Sequence, residues 1–580
     1  MSVSSQSQGK TIHSVSLSIS QSHTTTQGNN TGTWRFVRPK YENKTAPCSV
    51  SCPLGVDIAM VEMLVARKEF KKAHETLLIE NPFPAICGRV CFHPCEKQCN
   101  RQYMDESVGI HTIERYIGDW GVKNNLLPDH LYPQKNGSKI AVVGSGPAGL
   151  AVAYFSRRLG YACDIFEQSD ICGGLLNYGI PEYRLPKDIL ATELQRLNND
   201  DINVHTNEPI TFEKINSLKL RYDAVFLCCG DALSIQLKIP GEDKAIDGLQ
   251  LLKQIRMKTQ PKLNGHIAII GGGNTAIDVA RSLLRLGAHP IIVYRRTRKE
   301  MPAHSHEIDA AIAEGIVLKE CLSPEAIEAK ANGLCLTLQK MKASDHQSEE
   351  RQTYIPDDDR KKTMTVNHIV TAIGAEKDMM WHRQSNQWDL QLSHCSMQHN
   401  DIPFFWCGDL SSSEKTVTHA LASGKQAVLA FDILRKHGQS NIPEMLNQLK
   451  VAQGRSVSFE MYLKGKRQNR SPEIVSFDHI NTAYFTSSNR LEAKQISIEH
   501  SITSFDEIIS TFQIDQVVQE AKRCFNCGLC NDCDTCRIFC PEMAIQSKGE
   551  DRHILMEYCK GCGICIVECP RNAMALEVEP

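Results

Sequence analysis

The hydrophobic and polar positions divide the chain into a polar start, a helical segment, two strand–loop–helix units and a mixed C-terminal part. Residues 1–33 are rich in Ser, Thr, Gln, Asn and Gly, which predicts a disordered tail. In VDIAMVEMLVARKEFKKAHETLL, apolar positions recur at spacings that fit one helix face: Met60, Leu64, Phe70, Ala73 and Leu77. Apolar strands followed by glycine loops begin at Lys139 and His266, and a further helix is predicted from Phe505 to Arg523.

The first glycine loop has the pattern of a dinucleotide site. KIAVVGSGPAGLAVAYFSRRLGYACDIFE contains a strand, three glycines, a helix and a second strand that ends at Glu167. Gly144 allows the tight turn, Gly146 lets the backbone approach a pyrophosphate, and Gly149 allows close helix–strand packing. An acidic residue at the place of Glu167 grips ribose hydroxyls. The predicted site comprises Gly144, Ser145, Gly146, Pro147, Ala148, Gly149 and Glu167.

The second glycine loop repeats the unit with a different ending. HIAIIGGGNTAIDVARSLLRLGAHPIIVYRR places Gly271, Gly272, Gly273, Asn274, Thr275 and Ala276 in the loop. Its second strand ends in Arg295 and Arg296, which bind a 2′-phosphate through charge-assisted hydrogen bonds and so favour NADP over NAD. A solvated charge run is the alternative, and NAD(H) stays open. Two nested dinucleotide folds fit a flavin enzyme, with FAD in the first and the nicotinamide in the second.

Composition and charge narrow the class only a little. A chain of 580 residues predicts several domains, and 41% hydrophobic with 23% charged residues is ordinary for a globular protein. The net charge of −2 gives no sign of nucleic-acid binding. No stretch approaches the roughly 18–20 apolar residues of a membrane span, and the N-terminus lacks the apolar core of a signal peptide. A cytoplasmic location is the resulting expectation.

Cysteine is the unusual residue. Of 24 cysteines, 16 lie in two groups, Cys48–Cys99 and Cys524–Cys569, and clustered thiols in a reducing compartment indicate metal ligands. The C-terminal group contains two C-x2-C-x2-C-x3-C-P runs, the bacterial ferredoxin spacing, in which the fourth cysteine ligates the other cluster. One predicted [4Fe–4S] quartet is therefore Cys530, Cys533, Cys536 and Cys569, and the other is Cys559, Cys562, Cys565 and Cys540. Cys524 and Cys527 are surplus to these runs, and inert thiols are the favoured interpretation.

From Cys48 to about residue 435 the chain resembles the small subunit of NADPH-dependent glutamate synthase and the N-terminal half of dihydropyrimidine dehydrogenase. The likeness rests on NPFPAICGRVC, GSGPAGL, GGLLNYGIPEYRLPK, GGGNTAIDVAR, YRRTRKEMPA and CGDL. After about Val475 it resembles a longer branch with an appended ferredoxin domain. That branch includes an iron–sulfur flavoprotein of dissimilatory sulfur metabolism and the flavin subunit of some 2-oxoacid:NADP oxidoreductases. The resemblance implies further cofactor contacts from Gly173, Gly174, Leu175, Arg184, Gly230, Gly374, Gly408, Asp409 and Thr416.

The N-terminal cysteines depart from that family. A C-x2-C-x4-C-x3-C-P run is usual there, but this chain keeps only Cys48 and Cys52, with Lys40 and Asn43 at the earlier places. The resemblance implies one [4Fe–4S] cluster held by Cys52, Cys91, Cys95 and Glu114. Cys48 and Cys99 are then left with half a site. One N-terminal cluster is therefore expected, and a second one that uses Cys48 and Cys99 as metal ligands stays open.

The combined pattern predicts an α/β fold with two nested Rossmann-like domains, an N-terminal helical iron–sulfur domain and a C-terminal ferredoxin-like α+β domain. The expected ranges are a tail at 1–33, the helical domain at 34–135, the FAD domain at 136–262 and 365–440, the NAD(P)H domain at 263–364, a linker with helical segment at 441–523, and the ferredoxin domain at 524–580.

The expected activity is electron transfer between NADPH, FAD, [4Fe–4S] clusters and a protein redox partner, such as a ferredoxin or a larger oxidoreductase subunit. No side-chain acid or base is required, and an oligomer is expected. A glutamate synthase small subunit, an electron-wiring subunit without nicotinamide activity and a disulfide reductase are the alternatives. The ferredoxin tail argues against the first, the intact second glycine loop against the second, and the lack of a central C-x-x-C against the third.

Overall fold

The computed structural model describes residues 28, 30–126, 136–197, 201–231, 233–347, 352–377, 390–400, 402–465, 467, 470–549 and 551–579. The chain forms two compact units. The larger unit contains Glu42–Asn531 and Pro570–Ala573, and the smaller contains Met1–Tyr41, Asp532–Cys569 and Met574–Pro580. Most of the tail predicted at 1–33 lies outside the described residues. Among the helices of the described ranges, none has the length and apolar character of a membrane span.

After a strand, β1 (Val37–Tyr41), the chain folds into a helical segment in the larger unit. Its helices are α1 (Pro47–Ser51), α2 (Ile58–Ala66), α3 (Phe70–Glu80), α4 (Pro84–Val90), α5 (Pro94–Lys97) and α6 (Ile110–Lys123). The sequence pattern suggested one continuous helix face where the structure has two helices, α2 and α3. The break follows from Lys68, whose φ of +62° ends α2 while the Glu69 amide donates to the Leu64 carbonyl over 2.8 Å.

The first dinucleotide-binding domain begins with alternating strands and helices. These are β2 (Lys139–Val143), α7 (Pro147–Arg158), β3 (Ala162–Phe166), α8 (Leu175–Tyr178), α9 (Lys187–Gln195), β4 (Ile202–His205), α10 (Phe212–Lys219) and β5 (Ala224–Leu227). Strands β3, β2 and β5 run parallel, and β5 is buried along its whole length. A right-handed crossover through α7 is the standard way to join two such strands.

A second parallel sheet is inserted into the first. Its region contains β6 (Leu233–Ser234), β7 (Ile246–Asp247), α11 (Gly248–Met257), β8 (His266–Ile270), α12 (Asn274–Arg285), β9 (His289–Val293), α13 (Ser305–Ala313), β10 (Val317–Lys319), β11 (Leu322–Lys330), β12 (Gly333–Gln347), β13 (Gln352–Val366) and β14 (His368–Thr371). The parallel sheet has the order β10-β9-β8-β14-β7, and β11, β12 and β13 form a separate sheet. Its strands therefore extend beyond the predicted range of 263–364 on both sides, because β14 and β7 complete the side of β8 opposite β9.

The chain then returns to the first sheet through β15 (Ala375–Glu376), β16 (Leu390–Gln391), β17 (Cys395–Asn400), β18 (Ile402–Cys407) and α14 (Val417–His437). The completed order is β16-β17-β18-β5-β2-β3-β4, with β18 parallel to β5. Helix α14 lies against α7, since a Cβ on Gly424 would lie 2.4 Å from the Ala148 carbonyl oxygen. The close approach brings the end of β18 and the start of α14 to the first glycine loop.

The remaining elements of the larger unit are α15 (Ile442–Gln448), α16 (Phe459–Lys464), α17 (Ile498–Ser501) and α18 (Ile514–Lys522). The helix predicted from Phe505 to Arg523 is confined to α18, whose N-terminal capping box is formed by Gln513 and Gln516. The side chains of Val517, Val518 and Ala521 are buried, and α18 packs on α2.

The smaller unit contains α19 (Thr535–Ile538), β19 (Ile545–Lys548), β20 (Asp551–Ile554), α20 (Ile564–Val567) and β21 (Met574–Val578). Strand β21 pairs antiparallel with β1, from Val37 opposite Val578 to Tyr41 opposite Met574. Two predicted boundaries therefore change. Residues 34–41 belong with the ferredoxin-like unit because of this pairing, whereas 524–531 belong to the larger unit.

Candidate functional site

The first glycine loop lies between β2 and α7, and its glycines have different surroundings. Gly144 adopts φ +100°, and a Cβ on Gly149 would lie 2.0 Å from the Gly144 carbonyl oxygen. Both positions are closed to a side chain. A Cβ on Gly146 would meet no atom within 4 Å. The free space lies at the N-terminus of α7, where unpaired amides favour a phosphate group, so the loop fits a dinucleotide.

Glu167 holds this loop in shape. One carboxylate oxygen accepts hydrogen bonds from the Ser145 amide at 3.0 Å and hydroxyl at 2.6 Å, and the other accepts from the Ser169 amide at 2.8 Å. The Gly173 amide in turn donates to the Ser145 carbonyl over 3.1 Å. In the structure, Glu167 is thus hydrogen-bonded directly to the loop, and its contact with ribose stays a prediction.

Gly174 and Gly408, two of the residues added by the family resemblance, lie near the first glycine loop. Gly174 approaches the loop, since a Cβ on it would lie 2.9 Å from the Gly146 Cα, and Leu175 begins α8. The Gly408 amide donates to the Ser423 hydroxyl over 2.8 Å, which fixes the end of β18 on α14. Thr416 caps α14 by accepting from the His419 amide over 3.2 Å. The local backbone at Gly230 and Gly374 has positive φ, at +67° and +115°.

Asp409 carries the charge of this region. Burial and, to a smaller extent, the neighbouring Asp231 carboxylate together raise the pKa of its carboxyl to about 6, against the opposing effect of Lys415 and Lys377. A largely buried carboxyl is unfavourable in its ionised form unless hydrogen-bond donors reach it. A contact of Asp409 with hydroxyl groups of FAD, such as those of the ribityl chain, stays a prediction.

We expect Asp409→Asn to stabilise the flavin-free protein while weakening FAD binding. The raised pKa means that the stabilisation from the protonated carboxyl is present below about pH 4 and is lost as the pH rises through about 6. Above pH 7 the substitution should therefore raise the free energy of unfolding by on the order of 2 kcal/mol. Urea unfolding of flavin-free protein at pH 8 and pH 5.5 measures this, and the gain should be larger at pH 8. Asp243→Asn, at an exposed carboxylate, is the control. An equal gain at both pH values would contradict the assignment.

The second glycine loop repeats the arrangement between β8 and α12. Gly271 has φ +147°, and a Cβ on it would lie 2.1 Å from the Ala372 carbonyl oxygen. At Gly273 a Cβ would meet no atom within 4 Å, as at Gly146. The Asn274 side chain accepts from the His304 amide over 3.1 Å, which ties the start of α12 to the segment before α13. This loop also fits a dinucleotide phosphate.

Arg295 and Arg296 follow β9 beside the second loop. Arg295 is exposed and Arg296 half-buried. In the described part of the chain neither guanidinium forms an ion pair, whereas the nearby Arg298 pairs with Asp309. Two unpaired cations at the end of this strand are suited to a 2′-phosphate.

Arg184, another predicted cofactor residue, has a different role in the structure. Its guanidinium binds both carboxylate oxygens of Asp278, at 2.9 and 2.8 Å, and also the Glu307 carboxylate at 3.0 Å. These contacts join the two dinucleotide-binding domains within the larger unit. A contact of Arg184 with a cofactor stays a prediction.

The four predicted N-terminal ligands line one cavity of about 450 Å³. Its polar lining includes Cys52, Cys91, Cys95, Glu114, Glu62 and His93. Burial raises the pKa of the Cys95 thiol, and the Cys52 and Cys91 thiolates raise it further. Several anionic donors around an apolar cavity repel one another unless a cationic group neutralises them. The donor set therefore fits a [4Fe–4S] cluster.

Glu114 is held in place by two residues that the sequence reasoning missed. The Asn81 side-chain amide donates to one carboxylate oxygen over 2.8 Å, and His93 Nε2 lies 3.1 Å from the other. His93 follows Cys91 by two positions, and its amide donates to the Cys91 sulfur over 3.3 Å. No spacing rule connects Asn81 with Glu114, because their contact depends on how α4 packs against α6.

In the smaller unit, one predicted ferredoxin quartet surrounds a single cavity of about 360 Å³. Cys540, Cys559, Cys562 and Cys565 all line it, together with Pro541. The spacing rule thus selected four thiols that meet around one space. Cys533, Cys536 and Cys569 also belong to this unit, and the Tyr41 hydroxyl lies 3.3 Å from the Cys536 sulfur. Cys530 belongs to the larger unit, and the ligand set that includes it stays a prediction.

Comparison with protein families assigns these regions. The model described as pyridine nucleotide-disulphide oxidoreductase matches residues 138–424. Those described as dihydropyrimidine dehydrogenase domain II with a 4Fe-4S cluster and as a 4Fe-4S binding domain match 40–126 and 553–575. The chain therefore contains a pyridine nucleotide-disulphide oxidoreductase domain together with two 4Fe-4S domains. For this oxidoreductase the family models imply FAD, NAD(P) and [4Fe–4S] clusters, as the sequence predicted.

Curated relatives of this oxidoreductase include electron-transfer subunits. The NADP(+)-dependent formate dehydrogenase subunit beta of Moorella thermoacetica is 30% identical over 68% of the chain and 61% of its own length. The NADPH-Fe(3+) oxidoreductase subunit beta of Geobacter sulfurreducens is 33% identical, covering 58% and 52%. The glutamate synthase [NADPH] small chain of Bacillus subtilis is 35% identical, covering 44% and 55%. The chain therefore spans about half to three-fifths of these relatives.

Solved structures add a general likeness. FprA of Mycobacterium tuberculosis in complex with NADPH matches with a TM-score of 0.44 and 16% identity, over 66% of this chain and 99% of that one.

Proposed function

We propose that this chain is an NADPH-dependent oxidoreductase subunit that passes electrons between NADPH, FAD, [4Fe–4S] clusters and a protein partner. The observation that carries the proposal is the pair of glycine loops. Each leaves open space at one glycine, Gly146 or Gly273, at the start of a helix. The larger unit that holds both loops also contains the cysteine-lined cavity of the helical segment. FAD accepts two electrons together from a nicotinamide and passes them on singly to iron–sulfur clusters.

The residues of the chain bind and orient rather than transfer protons. The amides at the start of α7 would hold the pyrophosphate of FAD, and Asp409 would accept hydrogen bonds from hydroxyl groups of FAD. The loop before α12 would hold the second dinucleotide, and Arg184 with Asp278 fixes one domain against the other. Cys91 lies close to the start of α14, since its sulfur is 3.8 Å from the Thr418 hydroxyl. The cavity and the first glycine loop therefore share α14 as a common wall.

Selection of NADPH is the most direct test of the second site. We expect Arg295→Ala/Arg296→Ala to raise KM for NADPH by about 10- to 100-fold, because charge-assisted hydrogen bonds contribute roughly 1.5–3 kcal/mol. The value for NADH should change little. Steady-state reduction of a viologen dye under anaerobic conditions measures both. Arg298→Ala is the matched control, since that residue already pairs with Asp309. An equal loss with NADPH and NADH would argue against a 2′-phosphate site.

The same assay tests the function as a whole. Anaerobically purified protein with one FAD should reduce the dye with NADPH. Bound flavin without oxidation of either nicotinamide would favour an electron-wiring subunit instead. A glutamate synthase small subunit is the other alternative, and activity that appears only with an amidotransferase partner would favour it. A disulfide reductase is opposed by the lack of a C-x-x-C sequence in residues 138–424.

We further propose a protein as the electron partner and the cytoplasm as the location. Relatives of the chain are named as subunits, which supports a partner in a larger assembly. A ferredoxin or a larger oxidoreductase subunit fits the two-cluster spacing of the C-terminal region. Clustered free thiols are more easily kept reduced for iron binding in a reducing compartment, which supports the location.

A further inference from the structure

Two pairs of cysteines that the sequence left without a site come together in the structure. Cys48 lies in the first turn of α1, and Cys99 ends the turn after α5. Cys524 and Cys527 follow α18, more than 400 residues later along the chain. All four belong to the larger unit, although the sequence placed the last two in the ferredoxin domain.

Direct contacts bring the late pair to the early pair. The Asn100 side-chain amide, next to Cys99, donates to the Cys527 sulfur over 3.4 Å and to the Val475 carbonyl over 2.9 Å. The Asn526 side-chain amide, between the two late cysteines, donates to the Ala59 carbonyl in α2 over 3.1 Å. The Lys44 amide donates to the Gly528 carbonyl over 2.7 Å. Segment 524–528 is thus fastened to the helical segment on both sides.

Arg101 and Arg523 hold the start of segment 524–528 in place. Arg101 Nη1 donates to the Arg523 carbonyl over 2.9 Å, and its other nitrogens bind Asp105. Arg523 binds the Glu520 carboxylate over 2.6 Å and the Asp105 carboxylate over 3.2 Å. All these side chains are buried or nearly so. A network of paired charges of this kind holds its members in one arrangement, because leaving a member unpaired is strongly unfavourable.

The four thiols lie in the same buried part of the larger unit, since Cys48, Cys99 and Cys527 belong to one apolar core and Cys524 packs against it. Burial raises the pKa of the Cys48 thiol, and the thiolate charges of Cys99, Cys524 and Cys527 each raise it further. Cys524 is affected in the same way by Cys527 and Cys99. Four thiols gathered from distant segments, three of them buried and Cys524 partly buried, are poorly explained as inert packing. They are well explained as ligands of a cationic group.

The geometry at Cys524 repeats that of a predicted cluster ligand. Its sulfur accepts a hydrogen bond from the amide of Asn526, two residues on, over 3.3 Å. The Cys91 sulfur accepts from the amide of His93, also two residues on, over 3.3 Å. Amides that point at a sulfur stabilise its thiolate form and are a feature of iron–sulfur sites.

Four cysteine thiols can hold either a [4Fe–4S] cluster or a single zinc ion, and the neighbouring site in the same region favours the cluster. A [4Fe–4S] cube binds each thiolate at a different iron, so its ligands lie farther apart than those of a single tetrahedral zinc ion. At the neighbouring cavity, which Cys52, Cys91 and Cys95 line, the family model indicates a 4Fe-4S cluster.

We infer that Cys48, Cys99, Cys524 and Cys527 hold a second [4Fe–4S] cluster in the helical segment, with half of its ligands supplied by the chain after α18. The C-x2-C pair at 524–527 takes the place of the earlier pair whose positions are occupied by Lys40 and Asn43. Each thiol releases its proton to solvent when it binds iron.

The inferred cluster lies next to the first N-terminal site. Cys95, a ligand of the first site, is affected by the charge of Cys48 from the second. Glu62 lines the first cavity and also acts on Cys48 and Cys524, and its buried Oε2 accepts no hydrogen bond from the described residues. The two sites are therefore neighbours around one buried carboxyl group.

The test compares metal content and spectra of variants that share the inferred site. Anaerobically purified protein should contain about 16 irons and 16 acid-labile sulfides per FAD, as four [4Fe–4S] clusters require. Cys524→Ser/Cys527→Ser and, separately, Cys48→Ser should each lower both values by about four. Electron paramagnetic resonance of dithionite-reduced samples should lose the same signal in both variants. Neither readout depends on oxidation of NADPH, so a failure here is distinct from a failure of the proposed function.

Controls separate loss of the cluster from loss of the fold. Cys321→Ser/Cys335→Ser changes two thiols in the region of β11 and β12 and should keep all iron. One FAD per chain in each variant shows that the flavin domain is intact. A content of about 12 irons in the unaltered protein that none of these variants changes would overturn the inference. One zinc ion per chain that is lost only in Cys48→Ser and in Cys524→Ser/Cys527→Ser would also overturn it. Loss of different signals in these two variants would overturn it as well.

Discussion

Lys425→Met should destabilise the larger unit by about 3–5 kcal/mol, because it leaves a buried carboxylate without its cation. Lys425 is fully buried in α14, and its ammonium group donates to the Glu80 carboxylate and the Leu54 carbonyl, each over 2.6 Å. Glu80 also accepts from the Ser458 hydroxyl and from two amides at the start of α16. One ion pair thus joins α3, α14 and α16.

Urea unfolding followed by flavin fluorescence measures the loss. Arg455→Met is the matched control, since the Arg455–Glu414 pair is exposed and such pairs contribute roughly 0–1 kcal/mol. A change below about 1 kcal/mol in Lys425→Met would mean that water reaches the Glu80 carboxylate once the ammonium group is gone.

A pair of identical substitutions in the first glycine loop should have opposite effects. In Gly149→Ala the new methyl group would lie 2.0 Å from the Gly144 carbonyl oxygen, so β2 and α7 have to separate and the domain should fold poorly. In Gly146→Ala the methyl group meets no protein atom and φ is −67°, so the protein should fold normally. The methyl group then occupies the space intended for a pyrophosphate.

We expect Gly146→Ala to weaken FAD binding by on the order of 10- to 100-fold, since overpacking costs roughly 1–3 kcal/mol. Thermal unfolding of the flavin-free protein should be unchanged in this variant and lowered in Gly149→Ala. Titration with FAD completes the comparison. Equal flavin affinity in Gly146→Ala and the unaltered protein would show that the cofactor backbone does not approach this glycine.

Local spacing was enough to predict the features that depend on one segment of chain. Gly144, Gly146 and Gly149 lie within six residues, and their conformations follow from a turn between a strand and a helix. The quartet of Cys540, Cys559, Cys562 and Cys565 is similarly short-range and is found around one cavity. In both cases the bound group requires a fixed spacing of glycines or cysteines along the chain, so that spacing predicts the bound group.

Features that depend on long-range packing were beyond that reasoning. The apolar run through α2 and α3 has one periodicity, yet a single residue with positive φ divides it. The boundary of the second sheet depends on the pairing of β14 with β8 and of β7 with β14. Nothing within the sequences of β7 and β14 specifies these partners. The meeting of Cys48 with Cys524 depends on α18 packing against α2, and the spacing of the thiols along the chain carries no trace of it.

The pairing of β1 with β21 has a consequence for protein synthesis. Translation at about 5–20 residues per second means that β1 leaves the ribosome on the order of a minute before β21 exists. An unpaired strand of this kind can pair with other chains and aggregate during that interval. The sequence VRPKY disfavours such pairing, since Pro39 lacks an amide hydrogen and Arg38 and Lys40 add like charges. These three residues therefore oppose association of β1 with other chains before β21 is made. Replacing Pro39, Arg38 and Lys40 with apolar residues should lower the soluble yield of newly made chains.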